Sequence, residues 1–193
     1  MEEFADKAAA MMSKKLPKLM RQLHDNLHYL GQSDQEFVKK AYVFANIAHE
    51  EQLRRSGEPY INHPIAVAKT LADLRLDKES IAAGLLHDVL EDSTINPDLI
   101  VKEFGQNVLN LVDGVSKLDQ LEYSENESTQ AESFRKMMLA MIEDIRVILI
   151  KLSDRLHNIQ TLGALDKNKQ QKIAKETLDI YAPIANRLGI YHM

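Results

Sequence analysis

The 193-residue chain contains no cysteine and no tryptophan, and it has only seven glycines and five prolines. The lack of cysteine excludes disulfide bonds and thiolate-bound metals, and it fits a reducing compartment such as the cytoplasm. The scarcity of glycine and proline, together with long stretches rich in Ala, Leu, Lys, Glu and Gln, predicts an all-α protein. The length suits one well-filled domain over residues 1–193.

The sequence also lacks a charged-then-apolar leader and any apolar run near the ~20 residues that a membrane span requires. We therefore expect a cytoplasmic protein that is neither secreted nor inserted in a membrane. The formal net charge of −5 gives no general attraction to nucleic acid. An anionic ligand would have to be bound by a local cluster of cations.

Apolar residues recur at three- and four-residue steps over most of the chain, which predicts helices of ordinary length. The segment 56–64 contains Gly57, Pro59 and Pro64 and predicts a compact loop, whereas the polar segment 121–130 predicts a mobile loop. The predicted helices cover roughly residues 16–30, 33–53, 64–74, 78–92, 97–104, 106–118, 131–143, 145–163 and 168–190.

One predicted helix carries a dense group of polar side chains. In AAGLLHDVLEDST, residues 82–94, an apolar run is followed by His87, Asp88, Glu91 and Asp92. Residues four apart share a helix face, so a continuous helix places His87 over Glu91 and Asp88 over Asp92. Acids this close repel one another in a half-buried setting unless protons or a cation intervene. We interpret the group as part of a divalent-metal site.

A His-Asp pair alone is more often a helix-end salt link than a metal site. Two further positions strengthen the metal interpretation because each breaks its local pattern in the same way. His63 precedes Pro64 at a predicted helix start, and Asp154 follows the apolar run in VILIKLSDRLHN. A histidine, a His-Asp pair and a distant aspartate form the ligand set of a mononuclear site that accepts Mn²⁺, Fe²⁺, Co²⁺ or Zn²⁺.

Several long motifs, in this order, resemble the N-terminal hydrolase domain of the long RelA/SpoT homologues, and more particularly their SpoT members. The motifs span roughly residues 35–190 and are RRSGEPYINHP, AAGLLHDVLEDS, LVDGVSKL, QAESFRKMMLAMIEDIRVILIKLSDRLHNIQTL and ETLDIYAPIANRLGI. The resemblance implies an HD-superfamily helical bundle, a Mn²⁺ ion and hydrolysis of the 3′-pyrophosphate of (p)ppGpp. The implied products are GDP or GTP plus pyrophosphate, and the reaction would lower the alarmone in the stringent response.

The resemblance also implies roles for individual residues. The implied metal ligands are His63, His87, Asp88 and Asp154. Glu91 and Asp92 complete the family's HDxxED motif and are placed to orient or deprotonate the attacking water. His157 lies three residues after Asp154, and we interpret it as a structural or supporting histidine rather than a ligand.

The guanine nucleotide substrate needs cations around its phosphates. Arg54, Arg55 and Lys117 are candidates from two separate segments, although the two arginines would otherwise be read as a solvated pair at a helix end. The resemblance places Arg54 and Arg55, with Ser56, beside the guanine and ribose. Asn158 and Thr161 resemble nucleotide contacts of the family.

The sequence departs from the family pattern at Glu51, where a glycine is usual, and at Gln160, where an arginine is usual. The chain stops where long family members continue into synthetase and regulatory domains, so we expect a truncated hydrolase domain. From the charge balance and the lack of a long apolar run, we expect no nucleic-acid or membrane binding by this domain.

Two other functions stay open at this point. The first is a different HD phosphohydrolase, acting on deoxynucleotides or cyclic dinucleotides, against which the RRSGEPY and SDRLHN motifs argue. The second is a non-enzymatic module that senses a nucleotide or contacts a partner protein. The intact metal and acidic residues argue against it, because a scaffold has no need of buried ionisable groups.

Overall fold

The computed structural model describes Lys7, residues 17–119, Arg135, and residues 137–139 and 143–190. The elements assigned in this part of the chain are helical, and an isolated β-bridge joins Leu53 to Pro59. None of the described helices is long and apolar enough to cross a bilayer. The all-α prediction is confirmed, whereas the predicted loop at 121–130 and most of the predicted helix at 131–143 lie outside the described residues.

The helices are α1 (Lys18–Asp25), α2 (Gln32–Ala48), α3 (Asn62–Asp73), α4 (Lys78–Leu86), α5 (Val89–Asp92), α6 (Pro97–Phe104), α7 (Gln106–Asp119), α8 (Ile145–Gln160), α9 (Lys167–Glu176) and α10 (Ala182–Arg187). A 3₁₀ turn at Leu162–Ala164 separates α8 from α9, and a π-helical turn at Thr177–Tyr181 joins α9 to α10.

Polar caps fix the starts of α4 and α8. The Asp77 side chain accepts a hydrogen bond from the Ser80 amide, and the Asp144 side chain accepts one from the Arg146 amide. Each cap satisfies an amide that the first helical turn leaves unpaired, which stabilises the helix by about 1 kcal/mol. The helix that precedes His87 and Asp88 and the helix that carries Asp154 therefore begin at defined points.

The core forms where α4 packs against α2, α3 and α7, and where α8 packs against α3 and α7. Two glycines allow the backbones to approach closely. A Cβ atom on Gly84 would lie 2.5 Å from Leu71 Cδ1, and one on Gly114 would lie 2.8 Å from Val147 Cγ2. The close packing of α3, α4 and α8 brings side chains that are distant in sequence to one place.

The helix predicted at 33–53 is too long, because α2 ends at Ala48. Glu51 has a φ of 66°, in the left-handed region that a right-handed helix cannot include. The following backbone folds back so that Leu53 pairs with Pro59. The compact loop predicted at 56–64 therefore begins earlier, directly after α2.

The helix predicted at 78–92 is interrupted, because α4 ends at Leu86 and His87 and Asp88 form a turn before α5. His87 Nδ1 lies 2.9 Å from the Gly84 carbonyl oxygen. A continuing helix would pair that carbonyl with the Asp88 amide, so this side-chain bond competes with the helix. The expected stacking of His87 over Glu91 on one regular helix is therefore wrong in detail.

Three other predicted helices have different limits. The first extends only from Lys18 to Asp25, with turns at residues 26–29, rather than over 16–30. The helix predicted at 145–163 ends at Gln160, and the segment predicted as one helix at 168–190 contains the π-helical turn.

Candidate metal centre and nucleotide cavity

Four predicted metal ligands from three parts of the fold meet in the core. His63 lies in the first turn of α3, His87 and Asp88 lie in the turn between α4 and α5, and Asp154 lies in α8. One donor atom each from His63, His87 and Asp88 fall within 4.8 Å of one another. Asp154 Oδ1 lies 3.1 Å from His63 Nε2 and 3.9 Å from His87 Nε2. The donor atoms of the four side chains are therefore close enough together to bind a single ion.

The His87 ring has one nitrogen that the protein leaves unsatisfied. Its Nδ1 donates to the Gly84 carbonyl oxygen, and its buried Nε2 makes no hydrogen bond. The Nε2 atom lies 3.1 Å from Asp88 Oδ1. A buried lone pair facing carboxylate oxygens is unfavourable unless a cation lies between them. This orphaned nitrogen, in a set of two imidazoles and two carboxylates, fits a divalent metal ion.

The pKa shifts of His87 and Asp154 also show that positive charge is favoured at this place. Burial lowers the pKa of His87, but the carboxylates of Asp88 and Asp154 outweigh this effect and raise it. Burial lowers the pKa of His63 against the opposing effect of Asp154. Burial opposes ionisation of Asp154, yet the Lys151 ammonium and the two histidines hold the pKa of Asp154 well below its usual range. Asp154 is thus a carboxylate anion, the form that could hold a metal ion.

His157 supports His63 from behind. The two Nδ1 atoms lie 2.8 Å apart. Burial, with the nearby charges of His63 and Arg54, lowers the pKa of His157 to about 4, so its ring is neutral at physiological pH. If a metal were bound to His63 Nε2, the His63 Nδ1–H would donate to His157 Nδ1, whose lone pair also faces Arg54 Nη1 at 3.1 Å. Such a bond fixes the tautomer and orientation of a metal-binding histidine.

Two further supporting residues were not predicted from the sequence. The Tyr60 hydroxyl donates to Asp88 Oδ2 at 2.7 Å, and Lys151 Nζ donates to Asp154 Oδ2 at 2.7 Å. Tyr60 lies three residues before His63 in the loop, and Lys151 interrupts an apolar run three residues before Asp154. For Lys151, a charged residue in an otherwise apolar stretch was the available signal, whereas the loop sequence gives none for Tyr60.

Glu91 and Asp92, the two predicted catalytic acids, lie in α5, directly after the turn that carries Asp88. Glu91 is exposed in α5, and its amide donates to the Asp88 carbonyl oxygen at 3.2 Å. The side chain of Asp92 lies outside the described part of the structure. Roles for these acids in handling the proton of the attacking water stay predictions.

Five of the six predicted nucleotide contacts line one cavity of about 430 Å³, between the loop after α2 and the end of α8. They are Arg54, Arg55, Ser56, Asn158 and Thr161. Lys117 lines a separate cavity of about 520 Å³, where its ammonium lies 2.6 Å from Asp113 Oδ2. The structure therefore does not bring Lys117 together with the other five.

Arg54 connects this nucleotide cavity to the metal centre. Its Nη2 donates to Asn158 Oδ1 at 2.9 Å, and Asn158 Nδ2 donates to Asp154 Oδ1 at 2.6 Å. Its Nη1 lies 3.1 Å from His157 Nδ1 and 3.5 Å from Thr161 Oγ1. Arg55 is more exposed, and its guanidinium lies 3.8 Å from Asp166. Asn158, which lines the cavity, therefore contacts both Arg54 and the candidate metal ligand Asp154.

Comparison with known proteins gives consistent results. Residues 41–191 match the HD domain family. A guanosine-3′,5′-bis(diphosphate) 3′-pyrophosphohydrolase of Vibrio cholerae is 55% identical over 165 residues, covering 86% of this chain and 23% of that protein. The bifunctional (p)ppGpp synthase/hydrolase SpoT of Escherichia coli is 53% identical over 165 residues, covering 86% of this chain and 24% of that protein.

A relative from Myxococcus xanthus, named as a GTP pyrophosphokinase, is 52% identical and is matched over 22% of its length. The chain thus spans about a quarter of the length of these relatives. A solved structure, described as a metazoan orthologue of SpoT that hydrolyses ppGpp, superimposes with a TM-score of 0.59 at 26% identity. That match covers 84% of this chain and 98% of the solved one.

Proposed function

The chain belongs to the HD domain family, and on that premise we propose that it is a metal-dependent hydrolase of the 3′-pyrophosphate of (p)ppGpp. The products would be GDP or GTP plus pyrophosphate, and the reaction would lower the alarmone in the cytoplasm during the stringent response. One observation carries the proposal. The donor atoms of His63, His87, Asp88 and Asp154 converge beside a cavity lined by two arginines.

We propose Mn²⁺ as the ion, held by His63, His87, Asp88 and Asp154. The orphaned His87 Nε2 supports a metal at this point, and the nitrogen and oxygen donors suit Mn²⁺ among other divalent ions. When bound, such an ion polarises a phosphoryl oxygen and lowers the pKa of water.

The protein's own groups would bind and orient the substrate. Arg54 and Arg55 supply guanidinium groups that pair with phosphate oxygens and stack on a base. Asn158 and Thr161 supply polar atoms on the wall of the cavity that faces Arg54. Lys117 remains a proposed phosphate contact, although in the structure it lines a separate cavity and pairs with Asp113.

We propose that Glu91 accepts the proton of the attacking water. Its exposed position in α5, directly after the turn that carries Asp88, leaves it accessible to substrate and solvent. General acid–base assistance of this kind typically contributes 10²–10⁴-fold to the rate. Asp92 is the second proposed acid for the same proton.

The proposal is tested by pyrophosphate release from ppGpp with added Mn²⁺, measured beside metal content. We expect Asp88→Ala to lose both metal and turnover, because it removes a ligand. Glu91→Gln should keep the metal and lose turnover by roughly 10²-fold or more. Glu36→Gln, which changes an exposed acid on α2, should alter neither quantity.

Other nucleotides test the choice of substrate. dGTP and a cyclic dinucleotide should be turned over far more slowly than ppGpp by the same Mn²⁺-loaded protein. Faster turnover of either would indicate a different HD phosphohydrolase. Bound Mn²⁺ and ppGpp without turnover of any nucleotide would indicate a sensing module instead.

A further inference from the structure

Lys151 places a charged ammonium group in the core beside the candidate metal centre. Its side chain is 3% exposed, and its Nζ donates to Asp154 Oδ2 at 2.7 Å. The neighbouring residues Ile150 and Leu152 are both buried and apolar. A buried lysine is unfavourable unless it is well paired, and an apolar residue commonly serves packing as well or better. The ammonium therefore calls for a role beyond packing.

The two oxygens of Asp154 have different surroundings. Oδ2 accepts the Lys151 ammonium, whereas Oδ1 accepts from Asn158 and faces the Nε2 atoms of His63 and His87. A metal shared with the two histidines would thus meet Oδ1, while the charge-assisted bond holds Oδ2 turned toward Lys151. Asp154 can contribute one oxygen, and chelation through both would require breaking the bond to Lys151.

The other carboxylate at the site is held less firmly. Asp88 Oδ2 accepts from the neutral Tyr60 hydroxyl and lies 3.6 Å from His63 Nε2, and Asp88 Oδ1 lies 3.1 Å from His87 Nε2. Both of its oxygens therefore lie near the histidine nitrogens. The restriction to one oxygen is specific to Asp154, the carboxylate that Lys151 contacts.

We propose that Lys151 is a positioning residue that restricts Asp154 to binding the metal through one oxygen, and so leaves coordination positions free for water and substrate. The inference rests on the proposed metal site and deepens it. A catalytic metal site differs from a structural one in keeping such a position open. Structural roles for Lys151 and Asp154 would not require the asymmetry of the carboxylate.

The ammonium also changes the charge of the loaded centre. Two carboxylates neutralise a divalent ion held by two neutral imidazoles, so the added ammonium leaves the centre with a net positive charge. A substrate with two pyrophosphate groups is strongly anionic and is attracted by such a centre. Lys151 thus favours anion binding at the metal without occupying any of the space that the substrate needs.

The test replaces Lys151 with methionine, which is similar in length and carries no charge. Cobalt is used as the probe, because its visible absorption spectrum reports coordination number, and Mn²⁺ affinity and turnover of ppGpp are measured in parallel. Lys102→Met is the matched control, because Lys102 is an exposed residue on α6 and that helix contributes none of the candidate ligands.

We expect wild type, Lys102→Met and Lys151→Met each to bind one Co²⁺. Lys151→Met should show a weaker spectrum, typical of a higher coordination number, because Asp154 is free to bind through both oxygens. Its Mn²⁺ affinity should be equal or higher, since a repelling ammonium is gone. Its turnover should fall by roughly 10–100-fold, the usual effect of changing a partner of a metal ligand.

A wild-type spectrum in Lys151→Met would overturn the inference, whether turnover changed or not. Weaker metal binding with an unchanged spectrum would also overturn it, because that pattern indicates a purely structural role. A wild-type protein that binds no Co²⁺ would instead refute the metal site and the proposed function together. If Lys151→Met does not fold, as judged by circular dichroism and Tm, Lys151→Leu, which also lacks a donor and a charge, carries the same test with the same expected spectrum.

Discussion

Replacing His157 with phenylalanine removes the hydrogen bond that would orient His63, a candidate metal ligand, together with the contact from Arg54 Nη1 to the same nitrogen. Phenylalanine keeps a ring of similar shape but removes the acceptor that lies 2.8 Å from His63 Nδ1. His63 is buried, so its Nδ1–H would be left without that partner, at a cost of about 1–3 kcal/mol. Loss of such a support typically lowers metal affinity or activity 10–100-fold. We therefore expect the Kd for Mn²⁺ to rise by at least ~10-fold, which corresponds to about 1.4 kcal/mol.

The assay is calorimetric titration of the metal-free protein with Mn²⁺ at neutral pH, where His157 is neutral because its pKa is about 4. His157→Gln should recover much of the affinity, since its amide oxygen restores an acceptor. His28→Phe, at an exposed residue far from the ligands in sequence, is the control. An unchanged Kd in His157→Phe would refute the reasoning.

Three further changes test the fold. Glu51→Gly should stabilise the protein by up to about 1 kcal/mol in urea unfolding. It relieves a left-handed φ that costs about 1–2 kcal/mol, and the greater conformational entropy of the unfolded glycine chain offsets about 0.4–1 kcal/mol of that gain. Glu51→Ala retains the strain, so equal gains from both variants would contradict the explanation. Gly84→Ala should destabilise by ~1–3 kcal/mol, because its Cβ would overlap buried Leu71, and a raised Tm would show that the contact relaxes freely. Hydrogen bonds from Arg146 hold the pKa of Asp144 below its usual value of 3.8. The contribution of this ion pair to folding stability is therefore present above pH 3.8 and is lost as the pH falls through the folded-state pKa of Asp144. Asp144→Asn should therefore cost up to ~1 kcal/mol near neutrality and nothing well below pH 3.8, and a constant deficit measured across the acid range would count against the ion pair.

Much of the fold could be predicted from periodicity, but its interruptions could not. The helix predicted at 78–92 is broken at His87 by a bond from the ring to the Gly84 carbonyl. Hydrophobic spacing carries no information about such side-chain competition with the backbone. The early end of α2, by contrast, has a signal in the sequence. Glu51 stands where a glycine is usual in the family, and the positive φ at that position explains why glycine is suited to it.

The candidate site could be predicted in composition, with His157 as a supporting residue, but the contacts of Tyr60 and Lys151 were not predicted. His63, His87, Asp88 and Asp154 were assigned through the resemblance, and the structure brings their donor atoms together. Lys151 interrupts an apolar run three residues before Asp154 on the same helix, so their pairing is local, but the burial of both side chains depends on how α8 packs. Such burial comes from tertiary packing, so the spacing of the two residues alone does not predict it.

Lys117 shows the opposite limit. It was grouped with Arg54 and Arg55 because phosphates need cations, yet it lines another cavity and pairs with Asp113 four residues earlier on α7. Pairing between residues four apart on one helix is a common local arrangement. The need for positive charge at a site does not determine which cation supplies it.

The most direct test of the proposed hydrolysis is the identity of the products formed from ppGpp by the metal-free protein and by the same protein reloaded with Mn²⁺, followed by phosphorus NMR. The account predicts GDP and intact pyrophosphate in equal amounts, formed only after Mn²⁺ is restored. Release of orthophosphate, loss of the 5′-diphosphate, or equal turnover without metal would contradict it.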